Sequence, residues 1–156
     1  MGMGDEAAER LGLEERSVLE ITFEDELSQE GIGRAGVLPE DMTLRECAAY
    51  VKEVFDLDRV KVFGEEGRKV RRAAVVPGSG GDYIRSAVNA GADVYISGDI
   101  GHHDGIDALE QGLAVIDAGH FGLEQIFVPY MKEFLSRELP MLHLLTARQQ
   151  EPFWYE

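Results

Sequence analysis

The chain has 156 residues, 44% hydrophobic and 8% aromatic, enough for the core of a single domain. With 30 acidic residues against 15 Lys and Arg the formal net charge is −15, a surface that repels phosphate backbones and argues against a nucleic-acid partner. No run reaches the roughly 18 apolar residues of a membrane span; the acidic start MGMGDEAAER lacks an apolar signal segment, and the lone Cys47 forms no internal disulfide, as expected of a cytoplasmic protein without a membrane partner.

In chain order, residues 4–13 (GDEAAERLGL) read as a short helix and 16–23 (RSVLEITF) as a strand. An acidic and then glycine-rich stretch follows, in which 31–38 (GIGRAGVL) is a candidate strand with glycines where backbones approach closely. Residues 42–57 (MTLRECAAYVKEVFDL) read as a helix. Thr43 and Glu46 make a capping box, and Leu44, Cys47, Ala48, Val51, Val54 and Phe55 share one face, so Cys47 is expected in the core. Strands are expected over 59–64 and 70–77, a helix over 81–91, a strand over 92–98 and a helix over 103–112. A strand over 113–119, a long helix over 121–139 bent at Pro129, and a last strand over 141–147 complete the series. The softest boundary lies near 64–69 (GEEGRK), so 1–69 reads as a less regular, glycine-rich lead-in to one α/β domain over 1–156.

The strands near 70–77, 92–98 and 113–119 are short, apolar and β-branched, and helices of about ten residues separate them. That is the pattern of parallel βαβ units covered on both faces. The expected fold is α/β, a mixed, mainly parallel sheet flanked by helices. In such sheets ligands bind beyond the carboxyl ends of the strands, where the loops 77–82 (PGSGGD), 97–104 (SGDIGHHD) and 117–124 (DAGHFGLE) converge.

The GSGG turn could hold an anion at a helix start, but it fits neither G-x-G-x-x-G, since Tyr83 takes the last glycine position, nor the P-loop. A tight strand-to-helix turn is the plainer reading. In the second loop Asp99, His102, His103 and Asp104 could bind metal or move protons; alternatively Asp104 caps the helix and the histidines lie at the surface. In the third, His120 and Glu124 stand one helical turn apart on one face. A helix amino terminus disfavours a protonated imidazole, which would keep His120 neutral and able to ligate. Two ligands do not complete a site, because a catalytic zinc takes about three protein ligands and an open position. The others must come from Asp99, Asp117, His102 or His103, from another chain, or from sequence outside this one.

Taken together, GIGRAGVLPEDMTLRECAAYVKE, VRRAAVVPGSGGDYIRSAVNAGADVYISGDIGHHDGIDALEQGLAVIDAGHFGLE and the closing EPFWYE resemble the carboxyl-terminal half of the Nif-three-like dinuclear-metal-centre family. Some of its members are named GTP cyclohydrolase 1 type 2 homologues. The ordered series G-I-G-R, G-x-G-G, G-A-D-x-Y-I-x-G-D and D-A-G-H-x-x-x-E carries the resemblance over nearly the whole chain.

The resemblance implies two linked α/β halves, homo-oligomers built as trimers or a toroidal hexamer, and two divalent metal ions (Zn, Mn or Fe) per complete site. It assigns His120 and Glu124 as metal ligands and His103 as an acid/base group. An adjacent His-His pair and a later Asp are expected on an amino-terminal half absent here, whose end meets the start of this chain; His102-His103 is not that pair. The expected function is half of a metal-dependent hydrolase acting on a small molecule such as a nucleotide, GTP ring-opening being the named possibility. Alone, it is expected to be incomplete and inactive. The alternative is a non-catalytic metal-binding or oligomerising module.

Overall fold

A computed structural model describes residues 2–154, so Tyr155 and Glu156 of the closing motif lie outside the described residues. Six strands form one sheet in the order β1-β2-β4-β5-β6-β3: β1 (Glu14–Glu24), β2 (Gln29–Thr43), β3 (Lys61–Phe63), β4 (Lys69–Ser79), β5 (Val94–Gly98) and β6 (Ala114–Asp117). The helices are α1 (Met3–Arg10), α2 (Leu44–Phe55), α3 (Ile84–Asn89), α4 (His102–Glu110), α5 (His120–Glu124) and α6 (Phe127–Glu138).

The centre of the sheet follows from the apolar runs. β4, β5 and β6 are adjacent and parallel, and their side chains alternate between two cores. Ala73, Val75, Val94, Ile96, Ala114 and Ile116 face the core under α1, α2 and α5. Ala74, Val76, Tyr95 and Val115 face the core under α3 and α4. The α2 expectation is met: Glu46 accepts the Thr43 N–H at 2.7 Å, Thr43 Oγ1 accepts the Glu46 N–H at 3.2 Å, and Leu44, Cys47, Val51 and Phe55 are buried.

The fold is mixed α/β as expected, but parallel pairing is confined to those central strands. β1 pairs with β2, β2 with β4, and β3 with β6, all antiparallel. The glycine-rich stretch joins β1 through a short turn in which Asp25 Oδ1 accepts the Leu27 and Ser28 N–H groups at 2.9 and 2.8 Å. So short a link permits only antiparallel neighbours.

Two further expectations are corrected. Residues 141–147 form no strand; Met141 and Leu145 are exposed there. The helix expected over 121–139 is divided at Gln125–Ile126, where Gln125 Nε2 donates to the carbonyls of Phe55 at 2.9 Å and Gly122 at 3.1 Å. Pro129 does not mark the bend. It falls in the first turn of α6, where a missing N–H breaks no helical bond.

Candidate metal centre

The parallel registers bring the carboxyl ends of β4, β5 and β6 level: Ser79 stands opposite Gly98, and Ser97 opposite Asp117. The loops that leave them are stitched together, with the Gly80 N–H donating to the Gly98 carbonyl at 3.2 Å and the Ala118 N–H to the Ser97 carbonyl at 2.8 Å. The three loops picked out in the sequence therefore share one edge.

His120 opens α5 and Glu124 closes it. Nε2 of His120 lies 3.2 Å from Glu124 Oε2, and both side chains are partly exposed, 48% and 38%. On the other edge of the ring, Nδ1 lies 2.9 Å from Asp99 Oδ2. Gly78 sits against this pair: a β-carbon there would stand 2.7 Å from Glu124 Oε1 and 3.6 Å from His120 Nε2.

The His120 pKa is raised above the ordinary 6.5, first by the Asp99 hydrogen bond; burial opposes this, and the negative charges of Glu124 and Asp99 then add to the rise. A five-residue helix carries a short dipole, and two adjacent carboxylates outweigh it.

A nitrogen and a carboxylate oxygen converging beside Gly78 suit a borderline divalent ion. Among the described residues no group of three or more His, Cys, Asp or Glu could hold a metal. His120 and Glu124 thus fit part of a metal centre, and a complete one would need further donors.

The other candidates are placed elsewhere. Asp117, 8% exposed, is tied into the fold: Oδ2 accepts the Ile100 N–H at 3.1 Å and faces Lys61 Nζ at 2.9 Å, while Oδ1 accepts the Gly119 N–H at 3.0 Å. His102 and His103 are exposed in the first turn of α4, their rings edge-on at 5.5 Å. Asp104 is not the cap of α4; that position is Gly101. The GSGG stretch is a tight turn, in which a β-carbon on Gly80 would stand 1.9 Å from Ser97 Oγ and 2.4 Å from Tyr95 Oη. The Gly80 N–H is already bonded, so it is not offered to an anion.

A cavity of about 900 Å³ opens beside Gly119 and Phe121, lined also by Asp58, Lys61 and Glu151, but His120 and Glu124 do not line it. A smaller one of about 360 Å³, between Met3, Phe121 and Phe127, reaches Glu124. Sequence reasoning missed the Lys61–Asp117 pair, which joins β3 to β6 and leaves no local signal. It also missed the bond from Asp99 to His120, for which an aspartate directly after a strand-ending glycine was the available cue.

The family model described as Duf34/NIF3 (NGG1p interacting factor 3) matches residues 1–152. A GTP cyclohydrolase 1 type 2 homolog of Clostridium acetobutylicum is 36% identical over 145 residues, covering 93% of this chain and 54% of that protein. One from Streptococcus pneumoniae is 38% identical over 140 residues, covering 87% and 51%. The chain thus spans about half the length of these two relatives. Among solved structures, a Bacillus cereus protein related to NIF3 shares the fold, with a TM-score of 0.85 at 22% identity over 99% of this chain and 70% of that one. Reduced HcgD from Methanocaldococcus jannaschii gives 0.71 at 32% identity over 88% and 52%.

Proposed function

The chain belongs to the Duf34/NIF3 family, and from that premise we propose that it supplies one half of a metal-dependent hydrolase centre. His120 Nε2 and Glu124 are its metal ligands. The observation that carries this reading is their convergence at 3.2 Å on one turn of α5, beside Gly78, whose φ of 83° favours glycine. Zn, Mn or Fe suit such donors alike, two ions per complete site. Metal held there would supply Lewis-acid polarisation of a substrate oxygen.

The residues of this chain bind and orient. His120 would hold the metal through its Nε2 lone pair, and Glu124 would add a negatively charged oxygen. His103, exposed in the first turn of α4, is the acid/base group we assign to proton transfer. The remaining donors, an adjacent His-His pair and an Asp, come from polypeptide outside these residues, and the working form is a trimeric or hexameric homo-oligomer in the cytoplasm. The name shared by the relatives makes a guanine nucleotide the substrate class, an assignment that rests on analogy. No helix among the described residues is long and apolar enough to cross a membrane.

Calorimetric titration with Zn²⁺ and Mn²⁺ tests the reading. The chain is expected to bind weakly, and His120→Ala to abolish that binding. Unchanged binding in the variant removes His120 from the ligand set, and tight binding of about two ions per chain refutes the half-site. A second reading, a non-catalytic metal-binding or oligomerising module, is favoured by one observation: α6 buries no residue and exposes Phe127, Phe134 and, at its end, Leu139. A complete assembly that carries both halves, binds metal and turns over no nucleotide would select it.

A further inference from the structure

We propose that Asp99 is a positioning residue for His120: its carboxylate holds the proton on Nδ1, so that the Nε2 lone pair is aimed at the point shared with Glu124. This rests on the metal-centre reading above. Asp99 Oδ2 lies 2.9 Å from Nδ1, while Glu124 Oε2 lies 3.2 Å from Nε2 on the opposite edge of the ring. A neutral imidazole carries one proton, and the partner of one nitrogen decides which nitrogen remains free. Both nitrogens face a carboxylate, and the shorter contact, Asp99 on Nδ1 at 2.9 Å against 3.2 Å for Glu124 on Nε2, is the one that takes the proton and leaves Nε2 to ligate. Carboxylate–histidine pairing is a recurrent way of fixing the orientation of a metal ligand. Asp99 stands at the wrong nitrogen to share the metal itself, which separates it from the ligands.

The backbone around Asp99 is built to hold it there. Its φ of 55° lies in the left-handed region, which side chains other than Asn and Asp seldom enter. That turn carries the carboxylate from the end of β5 across to the loop after β6. The residues on either side are pinned: the Gly98 carbonyl accepts the Gly80 N–H, and the Ile100 N–H is bound by Asp117. The Asp99 side chain is itself 56% exposed, so its bond to His120 adds little to folding stability. A left-handed aspartate held between fixed neighbours, with its carboxylate on the ring of a ligand, is accounted for by what it does to that ring.

Long-range ¹H–¹⁵N NMR of the His120 imidazole in its neutral state tests this in the wild type, Asp99→Gly and Asp99→Asn. Glycine and asparagine both accept the left-handed backbone, so both variants keep the turn. Glycine removes the acceptor; asparagine keeps an oxygen without the charge. The wild type is expected in the Nδ1–H form, and Asp99→Gly in the Nε2–H form that free histidine favours. Zn²⁺ titration followed on the same signals should show affinity falling roughly 10–100-fold in Asp99→Gly, with Asp99→Asn between it and the wild type. An unchanged tautomer in Asp99→Gly overturns the proposal whatever the metal does. A changed tautomer with unchanged Zn²⁺ affinity overturns it as well, provided His120→Ala weakens Zn²⁺ binding. If His120→Ala leaves Zn²⁺ binding intact, the metal-centre reading has failed, and the positioning role falls with it.

Discussion

Asp117→Asn should destabilise the protein by about 2–3 kcal/mol while leaving the side chain almost the same size. The carboxylate is 8% exposed and each oxygen has its own backbone donor, Ile100 N–H on Oδ2 and Gly119 N–H on Oδ1. Asparagine offers one oxygen and one NH₂, so one backbone donor is left facing another donor. A hydrogen bond to a charged group contributes about 1.5–3 kcal/mol, and a stranded buried N–H costs about 1–3 kcal/mol. The Lys61 contact adds less, because that ammonium is 56% exposed and also donates to the Ile100 carbonyl at 2.8 Å. With a slope of about 1–3 kcal/mol per molar urea for proteins of this class, the midpoint should fall by about 1 M with an unchanged slope. The melting temperature should drop by about 5–10 °C. Lys61→Met is the control and should cost about 1 kcal/mol or less. A shift in Asp117→Asn below about 0.5 kcal/mol, the range of neutral surface changes, would show that the two loops do not depend on this carboxylate.

Two further outcomes follow from burial and close packing. Cys47 is fully buried on the inner face of α2, and burial pushes its thiol up to about 12. It should resist iodoacetamide in the native protein at neutral pH and react at full stoichiometry in denaturant; rapid native labelling would contradict its place in the core. Gly80→Ala would set a β-carbon 1.9 Å from Ser97 Oγ. Forced packing of this kind costs about 1–3 kcal/mol, visible as a lower urea midpoint. A neutral result would mean that the turn after β4 relaxes freely.

Elements whose reason is local were legible in the sequence. The capping box at Thr43 and Glu46 marks the start of α2, and its apolar face is the one that is buried. The β-branched runs at β4, β5 and β6 mark strands covered on both faces, and their spacing by helices dictates parallel pairing. Elements whose reason is a distant partner were not. Residues 141–147 alternate too weakly to say that no strand receives them, and the division at Gln125 depends on the Phe55 carbonyl, 70 residues earlier.

The candidate site divides along the same line. His120 and Glu124 could be paired from sequence because an i, i+4 spacing on a helix is a local fact, fixed by the rise and turn of the backbone. The family series placed them further. Only the tertiary structure separated the carboxylates nearby. Asp99 reaches the far nitrogen of the ring because β5 and β6 are level at their ends. Asp117 turns inward to two backbone N–H groups and Lys61. In sequence the two are equivalent, each an aspartate at the end of an apolar strand. A side chain's partners are set by strand register and loop path, which depend on residues far away in the chain, so local pattern could name the candidates while the fold alone assigned their roles.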